Sequence, residues 1–402
     1  MAVGSFSTDW LPIAGIDIST IAAGIRYQGR DDLVLIRCSE ETAFATLWTQ
    51  NHFPAAPVMV AKQHLESADT RYLLINSGNA NAATGSEGFR DAIACCQTIA
   101  EQLGGEASQV LPFSTGVIGE RLPLAAFEAA SASLVNALGS KDWLDAARAI
   151  MTTDTRPKIA SRQLTFGGRT VSITGVAKGA GMIQPNMATM LSFIGSDAKI
   201  APATLQLMLS EATRLSFNRI TVDSDTSTND AVVLMATGQS MVAVDANEQD
   251  LLEFQDALTD LMLELAHGLV RDAEGATKFV TVEVNKASTP EQALEIAYSV
   301  ANSPLMKTAV FASDANWGRL AMAVGKVPTA FDANLVDLYI GDVCLMKGGI
   351  RNKEYREADG AAVMAEEEIL LRIDLNAGDH GETVWTSDLS HDYIKINAEY
   401  RT

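Results

Sequence analysis

Cysteine is scarce in this 402-residue chain, with four residues at Cys38, Cys95, Cys96 and Cys344. No two have the spacing of a metal site or a redox pair, and adjacent Cys95 and Cys96, set in a helical pattern, cannot both face one partner. Free, buried thiols in a reducing compartment are expected, which points to the cytoplasm. Positive charge is also in short supply. Thirty Lys and Arg stand against fifty Asp and Glu, a net charge of −20, which argues against nucleic acid and anionic membranes as partners. No apolar run approaches the ~20 residues that span a bilayer. Residues 1–15 hold an acid and no basic stretch leading into an apolar one, so no secretory signal is expected. Internal repeats, low-complexity tracts and Pro- or Ser-rich linkers are missing. None of the five histidines lies in an HExxH pattern or beside a GxSxG elbow. This disfavours a Ser-His-Asp hydrolase without closing the option, because triads assemble in space.

What remains is a globular composition, 47% hydrophobic and 20% charged, with length for one large domain or two ordinary ones. Residues 33–37 and 71–76 read as strands bounded by turn residues. From 88 to 103 the positions Phe89, Ile93, Cys96, Ile99, Ala100 and Leu103 keep helical spacing, and Gly104-Gly105 stops the helix. Pro123 suits the first turn of another helix. Further helices are expected over 202–215, 248–270 and 290–301, and strands over 170–173, 231–236, 279–284 and 335–340. The pattern is mixed α/β. Gly175, Gly179 and Gly181, followed by Pro185, predict an irregular segment, neither regular helix nor central strand. Its apolar residues predict that it is at least half-buried, and a buried irregular backbone needs special hydrogen-bond partners.

Within that segment, GVAKGAGMIQPNMATML at 175–191, lies Ala188-Thr189, a small residue followed by a hydroxyl. A Thr hydroxyl needs a base. An α-amine, with pKa near 7.7–8.0, is a good one at neutral pH. Attack of the Thr189 hydroxyl on the Ala188 carbonyl, an N→O acyl shift and hydrolysis of the ester would free that amine. One residue would then carry nucleophile and base together. Acyl transfer also needs oxyanion donors. STGVIG at 114–119 offers a hydroxyl and open backbone N–H groups, although such a turn before a helix is more often an N-cap. DSDTSTND at 223–230 resembles a calcium loop but has Thr228 where Gly is needed and Leu234 where Glu is needed, so it is read as a turn that hydrogen-bonds its own backbone or supports the site rather than as a metal centre. Trp317 reads equally as core or pocket wall, and the acidic tract at 366–368 as a solvated helix face.

The chain closely resembles the ornithine acetyltransferases, the bifunctional glutamate N-acetyltransferases of arginine biosynthesis. NSGNAN at 76–81, STGVIGE at 114–120, MTTDT at 151–155, KGAGM at 178–182, PNMATML at 185–191, DTSTND at 225–230, EGATK at 274–278, NWGR at 316–319 and SHDYIKINAEYRT at 390–402 carry the likeness, in order, over nearly the whole chain. The resemblance implies an N-terminal-nucleophile-like α/β fold of stacked sheets flanked by helices, with a smaller α/β portion toward the C-terminal half. It implies self-cleavage at Ala188-Thr189 into an α chain, 1–188, and a β chain, 189–402, which pair as an α2β2 heterotetramer. It implies a ping-pong transfer of acetyl from N2-acetylornithine to Thr189 and on to glutamate, without a cofactor. In some members acetyl-CoA is a second donor. By motif, Thr189 is the nucleophile, the Thr115 side chain and Gly116 N–H form the oxyanion hole, and Thr152, Lys178, Thr189, Glu274, Asn397 and Thr402 contact substrate. Thr153, adjacent to Thr152, is the alternative in that stretch. The sequence departs from the family pattern at Ser224, where Gly is common. A self-processing aminopeptidase or amidohydrolase of related fold is the alternative function.

Overall fold

The computed structural model describes residues 2–67, 69–184 and 190–399. Two sheets lie face to face. One has four strands in the order Ile16–Ile21, Leu33–Cys38, Tyr72–Asn79, Val110–Val117. The other has five, in the order Ala43–Trp48, Ala231–Ala236, Leu191–Ser196, Arg169–Lys178, Lys158–Phe166. Period-two alternation explains the stacking. Val34 and Ile36 of the first sheet share one core with Val233 and Met235 of the second. Their neighbours point the other way. Leu33 and Leu35 pack on Cys95, Cys96 and Ile99 of the helix Gly85–Leu103 and on Phe127 and Leu134 of the helix Leu124–Asn136. Val232 and Leu234 pack on Leu205 and Leu209 of Pro202–Leu215 and on Leu261 and Leu265 of Glu248–Arg271. The result is four layers, helix, sheet, sheet, helix, with strands buried on both faces.

A third sheet of seven strands runs Ile350–Arg351, Val343–Lys347, Asp337–Ile340, Glu368–Asp374, Phe279–Ala287, His380–Ser387, Ile220–Thr221. It has its own core. Val280, Val282 and Val284 meet Ile296 and Val300 of the helix Pro290–Ala301 and Leu320 and Val324 of the helix Trp317–Gly325. Trp317 is partly buried against this core. Stacked sheets flanked by helices, with a smaller α/β portion in the C-terminal half, are thus both present.

Four local expectations need correction. Gly175 does not interrupt a strand; Arg169–Lys178 is an interior strand of the five-stranded sheet, and irregular backbone starts at Gly179. Glycine suits 175 because a Cβ would sit 3.0 Å from both Ile194 Cγ1 and Leu261 Cδ2, a tight contact where the long helix presses on the sheet. Ser114-Thr115-Gly116 is no helix cap but the end of the strand Val110–Val117. Residues 366–368 are exposed, yet they lie past the helix Glu357–Met364, and Glu368 opens a strand. Cys38, Cys95 and Cys96 are buried free thiols, whereas Cys344 is only half-buried.

Candidate active site

The ends of several strands meet at a cleft of about 270 Å³. Thr115, Gly116, Thr152, Thr153, Lys178, Asp230, Glu274 and Asn397 all line it. Ala188, Thr189 and Thr402 lie outside the described residues. The chain on both sides of 185–189 is nevertheless anchored at the cleft: Lys178 pairs in register with Leu191, and Leu191 with Ala231.

Lys178 ends its strand and is only 8% exposed. Its Nζ donates to Thr115 Oγ1 at 3.0 Å and Thr152 Oγ1 at 2.9 Å. A hydroxyl that accepts from an ammonium keeps its own hydrogen for another acceptor. Both threonines can therefore donate into the cleft. Burial pushes the Lys178 ammonium below its ordinary pKa, and Asp154, Asp230 and Glu274 offset part of that push.

Gly116 has φ 134, a conformation that favours glycine. A Cβ there would lie 2.2 Å from Gly78 C and 2.5 Å from Asn79 N. The close approach of the two parallel strands thus leaves the cleft side of residue 116 as bare backbone. Asn229 fastens this corner, its Nδ2 donating to Ala80 O at 2.6 Å and Ser114 O at 2.9 Å.

Behind Lys178 lies a buried ionic group that the sequence reading missed. Asp154 accepts from Gly179 N–H at 2.7 Å and from Lys158 Nζ at 2.5 Å, and Lys158 also reaches Asp272 at 2.6 Å. All three side chains are essentially fully buried. Burial alone would raise the Asp154 carboxyl. Lys158 and Lys178, together with the hydrogen bonds from Lys158 and Gly179, outweigh burial and hold it well below the usual carboxylate range. Asp154 thereby ties the first irregular residue of the loop to the core. Its place in the MTTDT stretch was the only sequence signal for it.

The opposite wall is built by Glu274 and the last helix, His391–Ala398. Glu274 N–H donates to Ala180 O at 2.9 Å, and Asn397 Nδ2 donates to Glu274 Oε2 at 2.7 Å. A Cβ at Gly181 would sit 2.5 Å from Glu274 Oε2, so a side chain there would displace that carboxylate. Asp223 accepts from the N–H groups of Met182 and Ile183 at 2.7 and 2.8 Å and from Tyr393 OH at 3.1 Å. The segment 223–230 therefore supports the site, by capping the loop and by lining the cleft with residues 227–230. Ser224 holds φ 65, a left-handed conformation that glycine adopts at no steric cost. Among the described residues no cluster of His, Cys, Asp and Glu has metal-holding geometry.

The chain is similar to known proteins over its whole length. The chain is 50% identical over 395 residues to the arginine biosynthesis bifunctional protein ArgJ of Pseudomonas syringae pv. tomato, covering 97% of each. It is 49% identical over 407 residues to the ArgJ of Pseudomonas fluorescens, covering 100% of each. A crystal structure of the arginine biosynthesis bifunctional protein argJ from Bacillus halodurans is 37% identical with a TM-score of 0.50, over 52% of this chain and 99% of that one. Residues 17–402 match the ArgJ family as a whole, and the chain belongs to that family.

Proposed function

We propose that this protein is a self-cleaving acetyltransferase of arginine biosynthesis, moving acetyl from N2-acetylornithine to L-glutamate. The observation that carries the reading is the cleft itself. An ammonium clamped between two threonine hydroxyls faces a carboxylate clamped by an amide, beside the anchors of the segment holding Thr189. Acetylornithine carries an α-carboxylate and a δ-ammonium. Lys178 with Thr152 matches the first and Glu274 with Asn397 the second, and Thr402 is assigned to the same ammonium end. Thr189 takes the acetyl group, its α-amine serving as base. The Thr115 hydroxyl and the Gly116 N–H receive the oxyanion. Ornithine leaves, glutamate enters, and the acetyl-threonine is discharged as N-acetylglutamate. Thr189 itself carries the acyl group, so the reading includes no cofactor.

The same reading divides the chain into α, 1–188, and β, 189–402, paired as α2β2 in the cytoplasm. Against the hydrolase alternative stand relatives of about half-identical sequence, all named as bifunctional arginine biosynthesis proteins. Incubation with acetylornithine and glutamate should yield ornithine and N-acetylglutamate. Free acetate without acetylglutamate would overturn the transferase reading. The same assay with acetyl-CoA in place of acetylornithine decides whether acetyl-CoA is a second donor.

A further inference from the structure

Lys178 and Thr152 reach the cleft from different parts of the chain. Lys178 ends an interior strand, whereas Thr152 follows the helix Trp143–Ala149 in a stretch without regular structure. Their contact, Nζ to Oγ1 at 2.9 Å, makes the end of the cleft assigned above to the substrate α-carboxylate. Two donors that recognise one carboxylate must be held to within about 0.5 Å of each other's proper place, by groups that are themselves fixed.

Asp154 is the side chain these two residues share. Its Oδ2 accepts from Thr152 N–H at 3.0 Å and its Oδ1 from Gly179 N–H at 2.7 Å. One carboxylate thus grips the peptide group that enters Thr152 and the peptide group that leaves Lys178. The Met151 carbonyl, on the other edge of the peptide group entering Thr152, accepts from the Arg30 guanidinium. Arg30 Cζ is itself placed over Tyr27, 3.9 Å from the ring centre. A planar peptide held by a cation at its oxygen and an anion at its N–H has its plane set, and the Thr152 side chain is aimed with it.

Charge is distributed to the same end. Lys158 lies between Asp154 and Asp272, at 2.5 and 2.6 Å. Asp272 also accepts from the N–H groups of Thr155 and Arg156, at 2.8 and 3.1 Å. With Asp272 balancing Lys158, the charge of Asp154 is left to oppose that of Lys178. The Asp154 side chain is fully buried, so solvent screens this attraction little. Burial pushes the Lys178 ammonium down, and Asp154 is the foremost group pushing it back up.

We propose that Asp154 is a positioning residue for the α-carboxylate end of the cleft, fixing Thr152 and Lys178 at one spacing and countering the charge of Lys178. The role rests on the acetylornithine reading above. Asp154 acts from behind the cleft wall and touches no substrate. An ammonium holds a carboxylate and a neutral amine does not. The KM for acetylornithine should therefore be low below the Lys178 titration and rise as pH climbs through it. Without the Asp154 charge, burial prevails sooner and the rise begins at lower pH.

The test measures KM and kcat for acetylornithine, at saturating glutamate, for wild type, D154N and D154E from acid to mildly alkaline pH. D154N keeps the shape but loses the charge and one acceptor. Its KM at neutral pH should rise about tenfold or more, its kcat should change less, and its alkaline rise in KM should start at lower pH than in wild type. D154E keeps the charge on a side chain one methylene longer. Its KM should rise while the alkaline limb stays where wild type has it. D154N with the wild-type KM and limb overturns the role, even if it melts lower. A KM raised by one factor at every pH, or a loss confined to kcat, overturns it too. Should D154N fail to fold, D154E decides: the wild-type KM overturns the proposal. A wild-type enzyme that makes no N-acetylglutamate from acetylornithine overturns the acetyltransferase reading, and this role with it.

Discussion

At the scale of single residues, the site turns on which hydrogen-bonding capacity is left free. Thr115 accepts from Lys178, so its hydroxyl hydrogen is available for charge that develops in the transition state. Thr115→Val keeps the shape and removes that donor. Its kcat should fall about 10²–10³-fold, the usual loss for one oxyanion donor, with KM little changed. A variant with near-normal kcat would remove Thr115 from the oxyanion hole. Lys158 acts at one remove, through Asp154 and the Gly179 N–H. Lys158→Met leaves two buried carboxylates without their shared cation and should cost about 3–5 kcal/mol in urea unfolding. It also changes the pH dependence. The folded pKa of Asp154 is depressed, so its stabilising contribution is complete above the unfolded value near 4 and drains away as pH falls below it toward the folded value. With Lys158 gone the depression shrinks, and the acid limb of stability against pH should flatten relative to wild type.

Secondary-structure elements differ in how plainly the sequence announces them. Pro202–Leu215 and Pro290–Ala301 appear with the predicted bounds, because proline in the first turn marks the start and an apolar stripe marks the face. The strand Val110–Val117 was hidden. Ser114-Thr115-Gly116 read as a turn, yet this is the end of an edge strand, where Pro112 is tolerated. The strand Arg169–Lys178 was legible only over 170–173, and its continuation through Gly175 was hidden because that glycine answers to a helix packed from elsewhere in the chain. Tertiary approach of that kind leaves no local signal, and for the same reason the partnership of Asp154, Lys158 and Asp272 could not be seen. The last helix, His391–Ala398, lacks any buried side chain, so it had no apolar stripe to betray it. It is held by Ser390 Oγ to Gly275 O at 2.6 Å, by Tyr393 OH to Asp223, and by Asn397 to Glu274. Such an element adds little to the core and much to the cleft wall. Deleting residues 391–402 should shift the melting temperature by only a few degrees while raising the KM for acetylornithine many-fold. A truncated enzyme with the wild-type KM would show that this wall does not hold substrate.

For the molecule as a whole, the position of the proposed cut relative to the sheets decides what the cut can do. Thr115, Gly116, Thr152 and Lys178 precede it, while Asp230, Glu274 and Asn397 follow it. The cleft is therefore built from both products. The five-stranded sheet is interleaved in the same way. Leu191–Ser196, from the second product, pairs with Arg169–Lys178 of the first, and Ala231–Ala236 pairs with Ala43–Trp48 of the first. The core between the stacked sheets likewise draws on Val34, Leu73 and Phe113 from one side of the cut and Leu191, Phe193 and Val233 from the other. Separation would expose this shared apolar surface and break two strand ladders at once, a cost on the scale of global unfolding. Cleavage should consequently leave one cooperative unit. Denaturing mass analysis of the wild type should give chains 1–188 and 189–402, and native chromatography should give a single species containing both. Thermal unfolding of that species should be one transition. Thr189→Ala should stay a single 402-residue chain, keep the fold and lose transfer, while Thr189→Ser, which retains a hydroxyl, should keep part of both reactions. If chain 189–402 elutes alone under native conditions, the interleaved sheet is not what holds the products together. If Thr189→Ala still divides, another residue is the nucleophile of self-cleavage.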